Sequence, residues 1–346
     1  MNALSFAGRT PYVIAEAGVN HNGSFDLACE LIRAAKSAGA DAVKFQTFVP
    51  EAVILPSTPR ASYQESSEGS GGMLDMVRPL ALSFDQFRDL KTLCGEVGID
   101  FMSTPFDRES ARFLAGLDLP FIKISSGDLD NYSLLDAVSE APGTLILSTG
   151  MADLTEIRQT LAYLAPRHKG AVALLHCVSS YPAPVEDANV NAVRTLAAEF
   201  GLPTGYSDHT TGYAAGCAAV ALGASIIEKH FTLDKSLPGP DHAFSLSPQE
   251  LGEFVRLLRD TAASLGDGKK QCLPVEVELK TLARRSLYAA RDLKRGEPVG
   301  PDDVLAMRPA TGLAASAYPR LVGARLDHDL ARHEPFVAAD LQGGSS

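Results

Sequence analysis

Short apolar runs recur along this chain at 12–17, 42–46, 100–107, 121–128, 144–151, 171–177, 204–210 and 225–230. Each is nearly continuous in apolar residues and stops at polar or ionisable ones. Strands buried on both faces of a parallel sheet have this pattern, with the polar tip opening into a site. Between most of the runs lie stretches of helical period: 24–38, 83–97, 134–139, 153–164, 191–200 and 212–223, with a last one at 247–265. Eight strands alternating with helices predict an α/β fold, a (β/α)8 TIM barrel over roughly 10–266.

The polar residues gather at one kind of position, the C-terminal strand ends: Glu16, Lys44, Gln46, Thr104, Lys123, Ser126, Ser148, Tyr181, Asp208, His209 and His230. Barrels of this kind build their active sites at that face. One buried lysine can be an ion-pair partner, but so many convergent polar ends point to an enzyme. His209 and His230 fall at the same end of two neighbouring strands. Two imidazoles there can hold one divalent metal, or serve as a pair of hydrogen-bonded structural histidines.

The stretch 49–82 is long for a loop inside a compact domain and reads as a lid, flexible at Gly69 to Gly72 and polar at Tyr63, Gln64 and Glu65. The barrel is expected to occupy 1–267 and an irregular linker 268–282. A small β-rich module with strand-like runs at 286–289 and 304–307 fills 283–346. Arg308 in that module is either an anion contact or a solvated surface cation.

Composition narrows the partners. A net charge of −11 argues against nucleic acid or an anionic membrane surface, so an anionic substrate needs a local cluster of cations. Five scattered cysteines with no CxxC suit a reducing cytoplasm. Neither a signal peptide nor a bilayer-spanning run is expected, and the Gly-Gly-Ser-Ser end is expected to be a disordered tail.

The chain resembles the sialic acid synthases, which condense phosphoenolpyruvate with an N-acylated mannosamine-type sugar. The resemblance rests on IAEAGVNHNG (14–23), VKFQT (43–47), STPFD (103–107), KISSGD (123–128), LSTGMA (147–152), LLHCVSSYPAP (174–184), GYSDHT (205–210), EKHFTLDK (228–235) and PGPDH (238–242). The small module is similar to the family's antifreeze-like (SAF) domain, Arg308-Pro309 included.

The resemblance implies that Lys44, Lys123, Thr104, Ser126 and Ser148 surround phosphoenolpyruvate. It makes His209 and His230 ligands of Mn²⁺ (or Mg²⁺ or Co²⁺). Glu16 then positions water or handles a sugar hydroxyl proton; the alternative for Glu16 is a structural carboxylate paired with Lys44. Gln46, Tyr181 and Asp241 match positions near the sugar or metal. Arg308 would reach the N-acyl group from the partner subunit of a domain-swapped homodimer.

Two positions depart from the family pattern. Asp128 stands where Glu is common, and Ser179 where some members carry Asn. Ser179 and the 49–82 stretch are expected to select the acceptor. N-acetylmannosamine is the first expectation, and the 2,4-diacetamido-2,4,6-trideoxyhexoses of legionaminate and pseudaminate synthesis are the alternative. Other classes weighed are a Schiff-base aldolase on Lys44 or Lys123 and a non-catalytic carbohydrate-binding or spore-coat relative. The consecutive Ser207-Asp208-His209 cannot form a hydrolase triad on one strand end.

Overall fold

The computed structural model describes residues 10–59 and 72–341. The glycine-rich and polar part of the 49–82 stretch at 60–71, and the terminal residues with the expected tail, lie outside the described residues.

The strands are β1 (Tyr12–Gly18), β2 (Ala42–Thr47), β3 (Asp100–Pro105), β4 (Phe121–Ile124), β5 (Thr144–Ser148), β6 (Val172–His176), β7 (Thr204–Asp208) and β8 (Ile226–His230). They form one parallel sheet in the order β3-β2-β1-β8-β7-β6-β5-β4. Its two end strands, β3 and β4, pack against each other and close the barrel. The expected (β/α)8 architecture is present.

Alternation along each strand sorts the side chains into layers. Ile14, Ala42, Met102, Phe121, Ile146, Ala173, Leu175 and Ile226 point inward and form an apolar floor. Two residues further along the same faces stand Glu16, Lys44, Thr104, Lys123, Ser148, Cys177 and Glu228, all buried. The outward set, including Val13, Val43, Leu145, Leu174, Tyr206 and Ile227, packs under the helices in the larger core. A floor of hydrocarbon beneath a polar ring fixes where the chemistry can be.

Local signals set the helices. Ser24, Ser83, Asp153 and Ser247 each accept from backbone N–H groups of the helices they open, and the last three complete capping boxes. The strand expected over 100–107 ends at Pro105, and a helix outside the expected helical stretches lies between β3 and β4. In the structure Asp107 is the N-cap of a helix over Arg108–Ala115, its carboxylate accepting from the Ser110 N–H. The carboxylate that follows the strand belongs to the helix it caps.

The second unit comprises Asp267–Ser346. The stretch read as an irregular linker carries a helix over Val277–Ala283. The strand-like runs are confirmed as the antiparallel pair β9 (Ser286–Ala289) and β10 (Val304–Met307). The core of this unit is small: Leu287, Ala289, Leu293, Val299, Leu321, Leu326, Leu330 and Phe336.

Candidate active site

The strand register places the central groups. Glu16 on β1 is level with Lys44 of β2 on one side and with His230 of β8 on the other. The Lys44 Nζ lies 2.8 Å from a Glu16 carboxylate oxygen and 3.6 Å from one of Glu228. It also donates to Thr104 Oγ1 at 3.1 Å. Lys123 Nζ lies 3.7 Å from Glu228. Two ammonium groups and two carboxylates therefore share one buried ring. Burying ions this way is a poor device for stability, so their convergence points to chemistry.

The charges in the ring are uneven. Burial pushes Glu16 up to about 7, with Glu228 adding to the rise and Lys44 opposing it. Glu228 is held near 2, because the attraction of Lys123 and Lys44 and a hydrogen bond from Ser207 outweigh its own burial. Burial lowers Lys123, with Lys44 adding to the fall and Glu228 opposing it. Of the two carboxylates that face the lysines, Glu228 therefore ionises far more readily than Glu16. Two lysines converging on one cavity are the local cations that an anionic substrate requires inside a chain of net charge −11.

The ring opens into a cavity of about 570 Å³. Gln46, Ser126, Ser148, Ser179, Tyr181, His209, His230 and Asp241 line the same space. Gln46 donates towards Glu16 at 3.5 Å. Ser126 Oγ accepts from the Gly150 N–H at 3.0 Å and lies 3.1 Å from the Cys177 thiol. Asp128 is not on the wall: its carboxylate accepts from Ser125 and Asn131 at the turn after β4. Arg308 is exposed in the second unit.

The histidines suit a divalent ion. His209 donates Nδ1–H to the Val178 carbonyl at 2.7 Å. Ser207, 3.3 Å from His209 Nε2, gives its single proton to Glu228 at 2.8 Å. The Nε2 lone pair is left available. His230 Nδ1 is buried without a hydrogen-bond partner, 3.9 Å from Asp241 Oδ2. Burial lowers both imidazoles, most of all His230, so both are neutral and able to ligate near pH 7. Tyr181 packs its ring 4.3 Å from His209 and 5.9 Å from His230, centroid to centroid.

Two parts of this site are absent from the sequence expectations, and one expected residue is absent from the site. Glu228 stands two residues before His230 on the same strand face, and the two-residue period was the signal for it. Asp208, expected among the strand-end groups, points outward and pairs with Lys229 at 2.9 Å. An apolar wall of Val53, Ile54, Met73, Met76, Val77 and Leu80 completes the site. Met73, Met76, Val77 and Leu80 recur at helical spacing, on a helix over Met73–Val77 and the 3-10 turn Arg78–Leu80. That spacing was the signal for them within a stretch read as one loop.

A polar ring above an apolar floor, opening at the C-terminal strand ends, defines a barrel enzyme that handles an anion. Comparison with known proteins agrees. Residues 31–270 match the NeuB family and 284–342 the SAF domain. The N,N'-diacetyllegionaminic acid synthase of Legionella pneumophila is 44% identical over 93% of this chain and 92% of its own length. The N-acetylneuraminate-9-phosphate synthase of Mus musculus is 36% identical over 84% and 81%. The N-acetylneuraminic acid synthetase of Leptospira borgpetersenii, solved with citrate, superposes with a TM-score of 0.68 at 36% identity, over 79% of this chain and 91% of that one. The chain belongs to the NeuB family. It is an enzyme of the phosphoenolpyruvate-dependent nonulosonic acid synthase class.

Proposed function

We propose that this enzyme condenses phosphoenolpyruvate with 2,4-diacetamido-2,4,6-trideoxymannose, giving N,N'-diacetyllegionaminate and phosphate. The observation that carries the choice of acceptor is that Val53, Ile54, Met73, Met76, Val77 and Leu80 line the same cavity as the ionic ring. A 6-deoxy sugar offers a methyl group to such a wall. N-acetylmannosamine would bring a C6 hydroxyl there, and a hydroxyl buried without a partner costs about 1–3 kcal/mol. The higher identity to the Legionella enzyme than to the mouse one points the same way.

In this reading Lys44 and Lys123 face the phosphate and carboxylate of phosphoenolpyruvate, with Thr104, Ser126 and Ser148 as hydroxyl donors. Glu16, next to both Lys44 and His230, takes a proton from the water that adds at C2. Gln46 and Tyr181 flank the acceptor, and Ser179 stands beside it. His209 and His230, with Asp241, would hold a divalent ion such as Mn²⁺, which when bound supplies Lewis-acid polarisation of the acceptor aldehyde. Glu228 keeps both lysines charged and in place. Arg308 and a domain-swapped homodimer belong to the proposal on resemblance alone.

The test is a comparison of kcat/KM for the two acceptors at saturating phosphoenolpyruvate. The trideoxy sugar is expected to be preferred by about 10- to 100-fold. Equal rates, or a preference for N-acetylmannosamine, would return the assignment to N-acetylneuraminate synthesis.

A further inference from the structure

The second unit contains a cluster that the barrel chemistry does not use. Asp340 lies in the 3-10 turn Ala338–Leu341, its side chain fully buried. One carboxylate oxygen, Oδ2, accepts the Val337 N–H at 2.6 Å. The other, Oδ1, is buried with no hydrogen-bond partner and lies 3.6 Å from His328 Nδ1. That same nitrogen lies 2.6 Å from Asp327 Oδ1. The ligand atoms of all three residues fall within 4.8 Å of one another.

A proton on His328 Nδ1 cannot serve this arrangement fully. An imidazole N–H donates along one direction, and at these distances Asp327 receives it. Asp340 Oδ1 then remains desolvated without a donor. A divalent ion in the proton's place accepts electron pairs from the nitrogen and from both carboxylates at once, and it removes the orphan. His328 is 46% exposed and Asp327 67%, so the ion has a path from solvent and water completes its shell.

We propose that Asp327, His328 and Asp340 form a divalent transition-metal site in the C-terminal unit. One nitrogen and two carboxylates are a donor set for Zn²⁺ or a similar first-row ion. The bound ion ties the end of the described chain to the turn at 327–328. In a unit with so small an apolar core such a tie adds stability directly.

The test uses the metal-stripped full-length chain titrated with Zn²⁺ by calorimetry, beside His328→Ala, Asp327→Asn and Asp340→Asn. Asp327→Asn alters an exposed side chain and guards against misfolding as an explanation. Each variant is expected to bind one Zn²⁺ per chain fewer than the parent, or to bind that ion at least about tenfold more weakly. A His209→Ala protein, with its barrel site weakened, is expected to keep the ion and to gain thermal stability from it. Unchanged stoichiometry and affinity in His328→Ala and Asp327→Asn would overturn the proposal. So would failure of Zn²⁺ to raise the Tm of His209→Ala.

Discussion

Lys44 and Glu16 form a fully buried ion pair, 2.8 Å long, at the same level of two adjacent parallel strands. Glu16 is the partner of Lys44, and both line the cavity. With Glu228 available to Lys44 as a second partner, Glu16→Gln leaves the lysine charged and held. This substitution is therefore expected to lower kcat by about 10²- to 10⁴-fold, with the circular dichroism spectrum unchanged. Steady-state kinetics on the purified variant checks it.

Glu16 also sets a pH dependence. Burial holds it up to about 7, and a base works only when ionised. As pH rises towards 7, kcat/KM climbs, and above it the curve flattens; Glu16→Gln lacks this limb. The stability effect runs the other way. The folded state binds this proton more tightly than the unfolded chain, whose value is near 4.5. The contribution of Glu16 is therefore full below 4.5 and is lost as pH rises through 7. Thermal melts of parent and Glu16→Gln across that window check the sign.

Two neutral imidazoles aimed at one space predict a metal affinity that depends on both. His209→Ala and His230→Ala are each expected to weaken Mn²⁺ binding by about 100-fold or more, the loss of a direct ligand exceeding the 10- to 100-fold typical of an outer partner. Electron paramagnetic resonance of free Mn²⁺ during titration reads this without relying on turnover.

Two glycines separate stability from binding. A Cβ on Gly205 would lie 2.2 Å from the backbone oxygen of Ile226 and 2.6 Å from Leu175. Gly205→Ala must push β7 from β8 and is expected to cost more than about 4 kcal/mol, read as a failure to accumulate in soluble form. At Gly150 the nearest atoms are side-chain ends: Ser179 Oγ at 2.4 Å, with Cys177 Sγ and Ser126 Oγ both at 2.9 Å. Gly150→Ala can fold by turning them aside. It is expected to raise KM by about tenfold while moving the Tm by no more than about 4 °C.

The barrel was legible because its determinants are local. Apolar runs, capping residues and small residues at close approaches each declare themselves within a few positions. His209, His230, Lys44 and Lys123 were found as strand ends, and the cavity contains all four. Glu228 and Asp208 show what strand ends alone leave out. Alternation sends Glu228 inward with His230 and turns Asp208 outward to Lys229, so the face had to be counted as well as the position. The apolar wall was not legible. Its residues come from two segments of the 49–82 stretch, Val53 and Ile54 at the end of a helix over Pro50–Val53 and Met73 to Leu80 on a second helical segment. Nothing local says that the two meet at one cavity, although the second has a helical period.

The most direct test of the proposed condensation uses phosphoenolpyruvate carrying ¹⁸O in its bridging C–O–P position. The enzyme is loaded with Mn²⁺ and supplied with 2,4-diacetamido-2,4,6-trideoxymannose. Phosphate release is expected only when the sugar is present, with all of the label in the phosphate and a product with the mass of N,N'-diacetyllegionaminate. Unlabelled phosphate, or pyruvate formed without the sugar, would contradict it.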